Sequence, residues 1–180
     1  MRLAILALCA VLLWPAAVLA TTYLVRPDGT GDFPTIQAAI NASVNGDVIE
    51  LADGTFTGPG NRDIRYGGKA ITVRSASGDP DRTIIDCEGS APEHHCAFIF
   101  DHGEGPGSIL AGVTIANGFA VFGGGIFLTF CNPTLLRCTF YRNFANNGGG
   151  LDCDLGATPR IVLCTFRENA ARYSGGGMCI

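Results

Sequence analysis

Three groups of side chains in this sequence have types and spacings suited to chemistry. Asp152 and Asp154 stand two apart between Leu151 and Leu155. Residues i and i+2 of a strand share a face, so the two carboxylates project together, away from the core and beside Thr129 of the preceding repeat. Oxygen ligands at that spacing can share a calcium ion; a pair of solvated carboxylates is the plainer reading. Cys87, His94, His95 and Cys96 form the second group, with His102 just beyond, and these are all three histidines of the chain. Thiolates and imidazoles hold zinc when four converge tetrahedrally. This spacing matches no zinc motif, and Gly89 to Glu93 reads as an exposed loop. A Cys87–Cys96 disulfide pinning that loop is the favoured expectation. The third group is aromatic: Phe119, Phe122, Phe127, Tyr141 and Tyr173 are candidates for stacking on sugar rings, although phenylalanines more often pack into cores and turns.

The elements that must position these groups follow from internal repetition. Gly123-Gly124-Gly125-Ile126 returns as Gly148-Gly149-Gly150-Leu151 and again as Gly175-Gly176-Gly177-Met178. Between the triplets lie Cys138-Thr139-Phe140-Tyr141-Arg142-Asn143 and Cys164-Thr165-Phe166-Arg167-Glu168-Asn169, each with a proline five residues before its cysteine. A period of 25 to 27 residues signals stacked supersecondary units. Within each unit, short segments alternate large apolar residues with others, which is the period of a strand. Glycine, proline and asparagine bound them. The fold class expected is all-β: a right-handed parallel β-helix of about five coils.

In such a solenoid, equivalent residues form ladders. Inward ladders are expected for Ile115, Phe140 and Phe166, for Val113, Cys138 and Cys164, and for Ile126, Leu151 and Met178. Thr114, Thr139 and Thr165 form an outward one. Asn143 and Asn169 stack at a bend, where asparagine tolerates left-handed backbone, and the glycine triplets mark a second bend. Stacked Cys138 and Cys164 are expected to touch as thiols without a required bond, because in-register side chains run parallel. Nearer the N-terminus, Asp32 can cap a helix, Pro34 suits its first turn, and Ile36, Ala39 and Ile40 give one apolar face. A short N-terminal capping helix would close the open end of the core.

Composition bounds the function. The chain has 180 residues, 47% apolar and 16% charged, with net charge -4. Lys69 is the only lysine, so the basic stripe of a nucleic-acid binder is missing. Glycine, at 25 residues, is about twice its usual ~7% share. Residues 1–20 read as a signal peptide: Arg2, an apolar run from Leu3 to Trp14, then Val18 and Ala20 before the cut. The domain is then 21–180, in a secreted or cell-surface setting where the seven remaining cysteines can oxidise. Seven is odd, so one is free or pairs elsewhere.

The stretch Asp28-Gly29-Thr30-Gly31-Asp32-Phe33-Pro34-Thr35-Ile36-Gln37-Ala38-Ala39-Ile40 resembles the opening of pectin-lyase-like β-helix proteins, including pectinesterases. Phe140-x-x-Asn143 and Phe166-x-x-Asn169, with their Gly-Gly-Ile or Gly-Gly-Leu partners, resemble the repeats of polymorphic outer membrane proteins. The pectinesterase resemblance implies a catalytic aspartate and flanking glutamines. The nearest string, Ala97 to Asp101, lacks the aspartate in place, and Gln37 is the only glutamine. Polysaccharide lyases of this fold would imply calcium on Asp152 and Asp154 with Arg142, Arg160 or Arg167 as the cationic partner. With no convergent catalytic set, the expected function is non-enzymatic. It is a binding, adhesion or scaffold module, with a polysaccharide or surface ligand and no cofactor beyond that calcium. The alternative is the N-terminal part of a polysaccharide lyase or glycoside hydrolase. The chain stops as a new coil begins, so it reads as incomplete at the C-terminus, and self-association through that end is expected.

Overall fold

The computed structural model describes residues 19–180. The signal peptide read from residues 1–20 therefore lies, up to residue 18, outside the described residues. The rest is a right-handed parallel β-helix of about six turns. The first sheet stacks Thr22–Val25, Val48–Leu51, Thr72–Ser75, Ile109–Ala111, Thr134–Leu136 and Arg160–Val162. The second stacks Gly54–Phe56, Thr83–Asp86, Thr114–Ala116, Thr139–Tyr141 and Thr165–Arg167. The third stacks Ile64–Arg65, Phe98–Phe100, Ile126–Thr129, Leu151–Asp154 and Met178–Cys179. A fourth sheet begins later and has three strands: Phe119–Phe122, Phe144–Asn147 and Ala170–Ser174.

The alternation seen in the sequence puts one residue in two into a single continuous core. Ile49, Val73 and Leu110 stack on the first sheet, Phe56, Ile85, Ile115 and Phe140 on the second, and Ile64, Phe98, Ile126 and Leu151 on the third, all fully buried. The expected ladder holds its register: Ile115, Phe140 and Phe166 pair in sequence, and the Phe140 and Phe166 rings stack 4.5 Å apart, almost parallel at 3°. Thr114 and Thr139 alternate with this ladder but are buried; Thr114 donates to the Pro80 carbonyl under the loop before Thr83. Of that outward column only Thr165 is exposed.

The capping helix spans Ile36–Ala42 and buries Ile36, Ala39 and Ile40. Its cap is Thr35, whose hydroxyl accepts from Ala38 N at 3.2 Å. Asp32 is not the cap: its carboxylate takes Leu24 N at 2.7 Å and ties the turn to the first strand. The single lysine closes the other end. Lys69 Nζ donates to the carbonyls of Ile40, Asn41 and Ser43 at 2.6, 3.0 and 2.9 Å, placing a cation where the last helical carbonyls lack partners.

The asparagine ladder forms, one residue away from the left-handed corner. Asn117, Arg142 and Glu168 take φ of 56°, 54° and 55°, and Gly118, Asn143 and Asn169 follow them. Asn143 is buried; its Oδ1 accepts Gly118 N at 2.8 Å, and its Nδ2 donates to Ile115 O and Asn169 Oδ1 at 3.0 Å each. Gly118 occupies the same column because a Cβ there would sit 1.8 Å from Gly124 O. The sequence pattern assigns no element to the fourth-sheet strands between the asparagine and glycine bends. Their Phe-Ala-Asn-Asn and Ala-Ala-Arg-Tyr-Ser sequences carry no apolar alternation, and the stacking of each rung on the one above holds them.

Asn143→Ala should leave Gly118 N buried without its partner and remove the side-chain bonds to Ile115 O and Asn169 Oδ1, at a cost of about 3 kcal/mol. The expected fall in Tm is roughly 6–12 °C, measured by circular dichroism. Asn169→Ala, on a half-buried rung, should cost less.

Candidate functional site

The second sheet brings the most varied side chains together. Its outward column reads Asp86, Ala116, Tyr141 and Arg167 on four successive rungs. Ala116 is the short member, and it opens a hollow between Asp86 and the Tyr141 ring. The hollow, of about 260 Å³, is lined by Thr55, Asp81, Asp86, Asn117, Tyr141 and Arg167, with Ile84, Thr114 and Ala116 as its floor. Asn117 Nδ2 donates to Asp86 Oδ2 at 3.0 Å, which orients the carboxylate along the groove. Two guanidinium carbons approach the Tyr141 ring, Arg167 at 4.3 Å and Arg142 at 4.8 Å. Arg142 is committed to Glu168 at 2.8 Å, and that carboxylate raises its pKa. Among the described residues, Arg167 has only a distant ion-pair partner, Asp81 at 3.9 Å. The groove thus offers acceptors on Asp86 and Asn117 and a weakly paired guanidinium on Arg167, whose backbones lie roughly 14 Å apart at ~4.8 Å per rung, with the guanidinium reaching back over Tyr141 towards Asp81. That set suits a hydroxyl-rich ligand with an acidic group.

The other predicted groups fall elsewhere. Asp152 and Asp154 share a face as expected, but only Asp154 is exposed; Asp152 is buried between Phe127 above and Cys179 below. Burial, with the like charge of Asp154 alongside, raises the Asp152 pKa even though Cys179 hydrogen-bonds to it. The pair is therefore not two solvated carboxylates. It borders a 260 Å³ hollow with Asn147, Ser174 and Cys179. Among the described residues no three His, Cys, Asp or Glu side chains group to hold a metal ion.

The Cys87–Cys96 bridge is corrected to two buried thiols. Burial pushes both up, Cys96 to about 12. The loop they flank is pinned by other means. Asp63, from the previous coil, takes His95 Nδ1 at 2.6 Å and Cys96 N at 3.0 Å. His95 and Phe119 exchange backbone hydrogen bonds of 2.9 Å each. His94 lies against Phe119, and His102 pairs with Asp101 at 2.5 Å, so the three imidazoles diverge.

Among the aromatics, Tyr141 lines the second-sheet groove. Phe119 stacks on Phe144, Phe122 leans on Phe127, and both pairs lie on the fourth and third sheets. Glu104 had no signal in the sequence. It is buried in the corner after Phe100, where Gly68 N, His102 N and the Cys131 thiol all donate to it at 2.9 Å. Burial alone would raise it, but these donors outweigh that and lower its pKa. Cys138 and Cys164 stack in the core corner as thiols. The hydrogen bond between them pushes Cys138 up and lowers Cys164. No family model, curated protein or solved structure matches this sequence.

Two outcomes follow. The charged form of Asp152 is the penalised one, so its penalty is absent below the ordinary carboxylate range and full once pH rises through the raised folded value. Asp152→Asn should raise Tm at pH 7 by about 2–4 °C, corresponding to ~1 kcal/mol, with the gain vanishing near pH 3. Millimolar calcium should leave both proteins unshifted; a rise with calcium that the variant loses would assign the ion to this pair. For the cysteines, mass spectrometry after brief alkylation of the native protein should find Cys164 labelled before Cys138, Cys87 and Cys96. A Cys138–Cys164 disulfide as the main species would contradict the stacked-thiol geometry.

Proposed function

We propose that this chain is a secreted or cell-surface β-helix module that binds carbohydrate along the second-sheet groove and serves in adhesion or scaffolding. The observation that carries the reading is the convergence of Asp86, Asn117, Tyr141 and Arg167 from successive rungs around the gap at Ala116. Carboxylate and amide accept and donate to sugar hydroxyls. The phenol edge bounds the ring, and Arg167 meets a uronate carboxylate in the bidentate manner of guanidinium. The likeness of Asp28 to Ile40 to pectin-lyase-like openings, and of the Phe-x-x-Asn repeats to polymorphic outer membrane proteins, supports an exported glycan-facing role, as does the leader-like residues 1–20. Stacking of a second copy on the rung Arg160–Val162, Thr165–Arg167 belongs to the same proposal and is read by light scattering.

Biolayer interferometry against immobilised neutral and uronate polysaccharides tests the ligand. Uronate polymers should bind, Arg167→Ala should weaken them at least tenfold, and Tyr141→Ala should weaken every polymer that binds. Binding indifferent to both substitutions would remove the groove from the reading. Appearance of new reducing ends during incubation would favour the lyase or glycosidase alternative, for which the same Asp86, Tyr141 and Arg167 are the convergent set.

A further inference from the structure

The fourth sheet has two rungs fewer than the second and third sheets, and its first strand has an open side. The third sheet runs five strands, yet no strand lies above Phe119–Phe122, because the coil above runs from Asp86 to Phe98 through the loop that carries His94 and His95. That loop pairs with the edge once and lays His94 against the Phe119 ring. His95 pairs antiparallel with Phe119, donating and accepting at 2.9 Å, and on the side of the open stretch the chain passes through His94 into the Ser90–Glu93 turn, whose backbone groups bond each other at 2.8 and 3.1 Å. Beyond this single pair the edge is uncovered, and Val121 and Phe122 are 41% and 47% exposed.

Two hollows flank the uncovered stretch. One, of about 560 Å³, has Phe119, Val121, Phe144, His94 and Arg172 in its wall. The other, of about 200 Å³, has Ala120, Phe122, Phe127, Ile99 and His95. Phe119 and Val121 line only the first and Phe122 only the second, as the alternation of side chains along a strand requires, while the small Ala120 borders both. The charge of the hollows is one-sided. Asp63 is their only carboxylate, and both its oxygens are occupied. Arg172 stands in the larger hollow with no ion pair among the described residues.

We infer that the Phe119–Phe122 edge is a docking site for an extended peptide segment of a partner protein. The segment adds antiparallel beyond His95, sends alternate aromatic or aliphatic side chains into the two hollows, and sets an acidic residue against Arg172. Main-chain hydrogen bonds supply affinity in this mode and the pockets supply selectivity. The site is separate from the second-sheet groove and does not depend on glycan binding.

The probes are three fluorescein-labelled ten-residue peptides with a central Phe-Val-Phe-Val segment flanked by Thr and Ser, so that successive apolar side chains meet both hollows. One carries Glu near its end, one carries Lys in its place, and one is the Glu peptide N-methylated at alternate amides. Fluorescence anisotropy with the whole protein should show the Glu peptide binding at least tenfold tighter than the other two. Val121→Asp, an exposed change, and Arg172→Ala should each weaken it about tenfold with the circular dichroism spectrum unchanged. Equal binding of the N-methylated peptide would mean a greasy surface without strand addition and would overturn the inference. So would no binding by any peptide, or self-association abolished by Val121→Asp without peptide affinity, which would give the edge to a second copy.

Discussion

Every rung of this molecule must lie ~4.8 Å above the next along its whole perimeter. Parallel in-register pairing at that spacing means each residue sits directly on its counterpart one coil away, so a side chain can be used only if its copy, or something smaller, fits above and below it. Apolar residues satisfy this cheaply: Phe140 on Phe166 at 3° is stacking that the register forces. Glycine satisfies it where backbones are closest. A Cβ on Gly124 or Gly149 would fall within 2.5 Å of the next rung's carbonyl, so the triplets are a steric condition of the bend and cannot drift individually.

Polar groups meet the same constraint differently. An amide side chain buried between rungs survives because the rungs above and below supply matched partners. Asn143 takes a donor from Gly118 and gives to Ile115 and Asn169, and Asn169 in turn gives to Phe140 O. Charge does not stack in this way. Asp152 pays a burial penalty with only a thiol beneath it, whereas Glu104, also buried, escapes because it sits in an irregular corner where two backbone amides and a thiol converge. Whether a carboxylate is raised or lowered here depends on its place in the repeat more than on its depth.

This explains which parts of the sequence were readable. Period, strand alternation and the cysteine, phenylalanine and asparagine ladders are repeated information, written two or three times over. The cap of the helix was missed because Asp32 and Thr35 are both good cap types, and the choice depended on Asp32 finding Leu24 N, a contact eight residues away. The fourth sheet was missed because its strands lack apolar alternation and are fixed by neighbours about 26 residues off. Arg167 was named as a cation, but its sharing one hollow with Asp86 across a gap at Ala116 needs register, and register needs the structure. The Cys87–Cys96 bridge was the natural reading of a flanked loop; Asp63, more than twenty residues upstream, does that work instead.

Repetition also limits where recognition can arise. A perfect solenoid presents identical columns, and a column of identical side chains has no hollow in it. Concavity appears where a rung departs from its neighbours, and the two surfaces of interest are both departures. Ala116 interrupts a column of long side chains on the second sheet, and the loop from Cys87 to Ala97 replaces a rung of the fourth. Each gap costs the fold little, since the core ladders Ile85 to Ile115 and Phe98 to Ile126 run on unbroken behind it. Such a scaffold can therefore vary its exposed faces without retuning its interior. That is the physical reason a chain with few convergent functional groups in its sequence still presents two differently built surfaces.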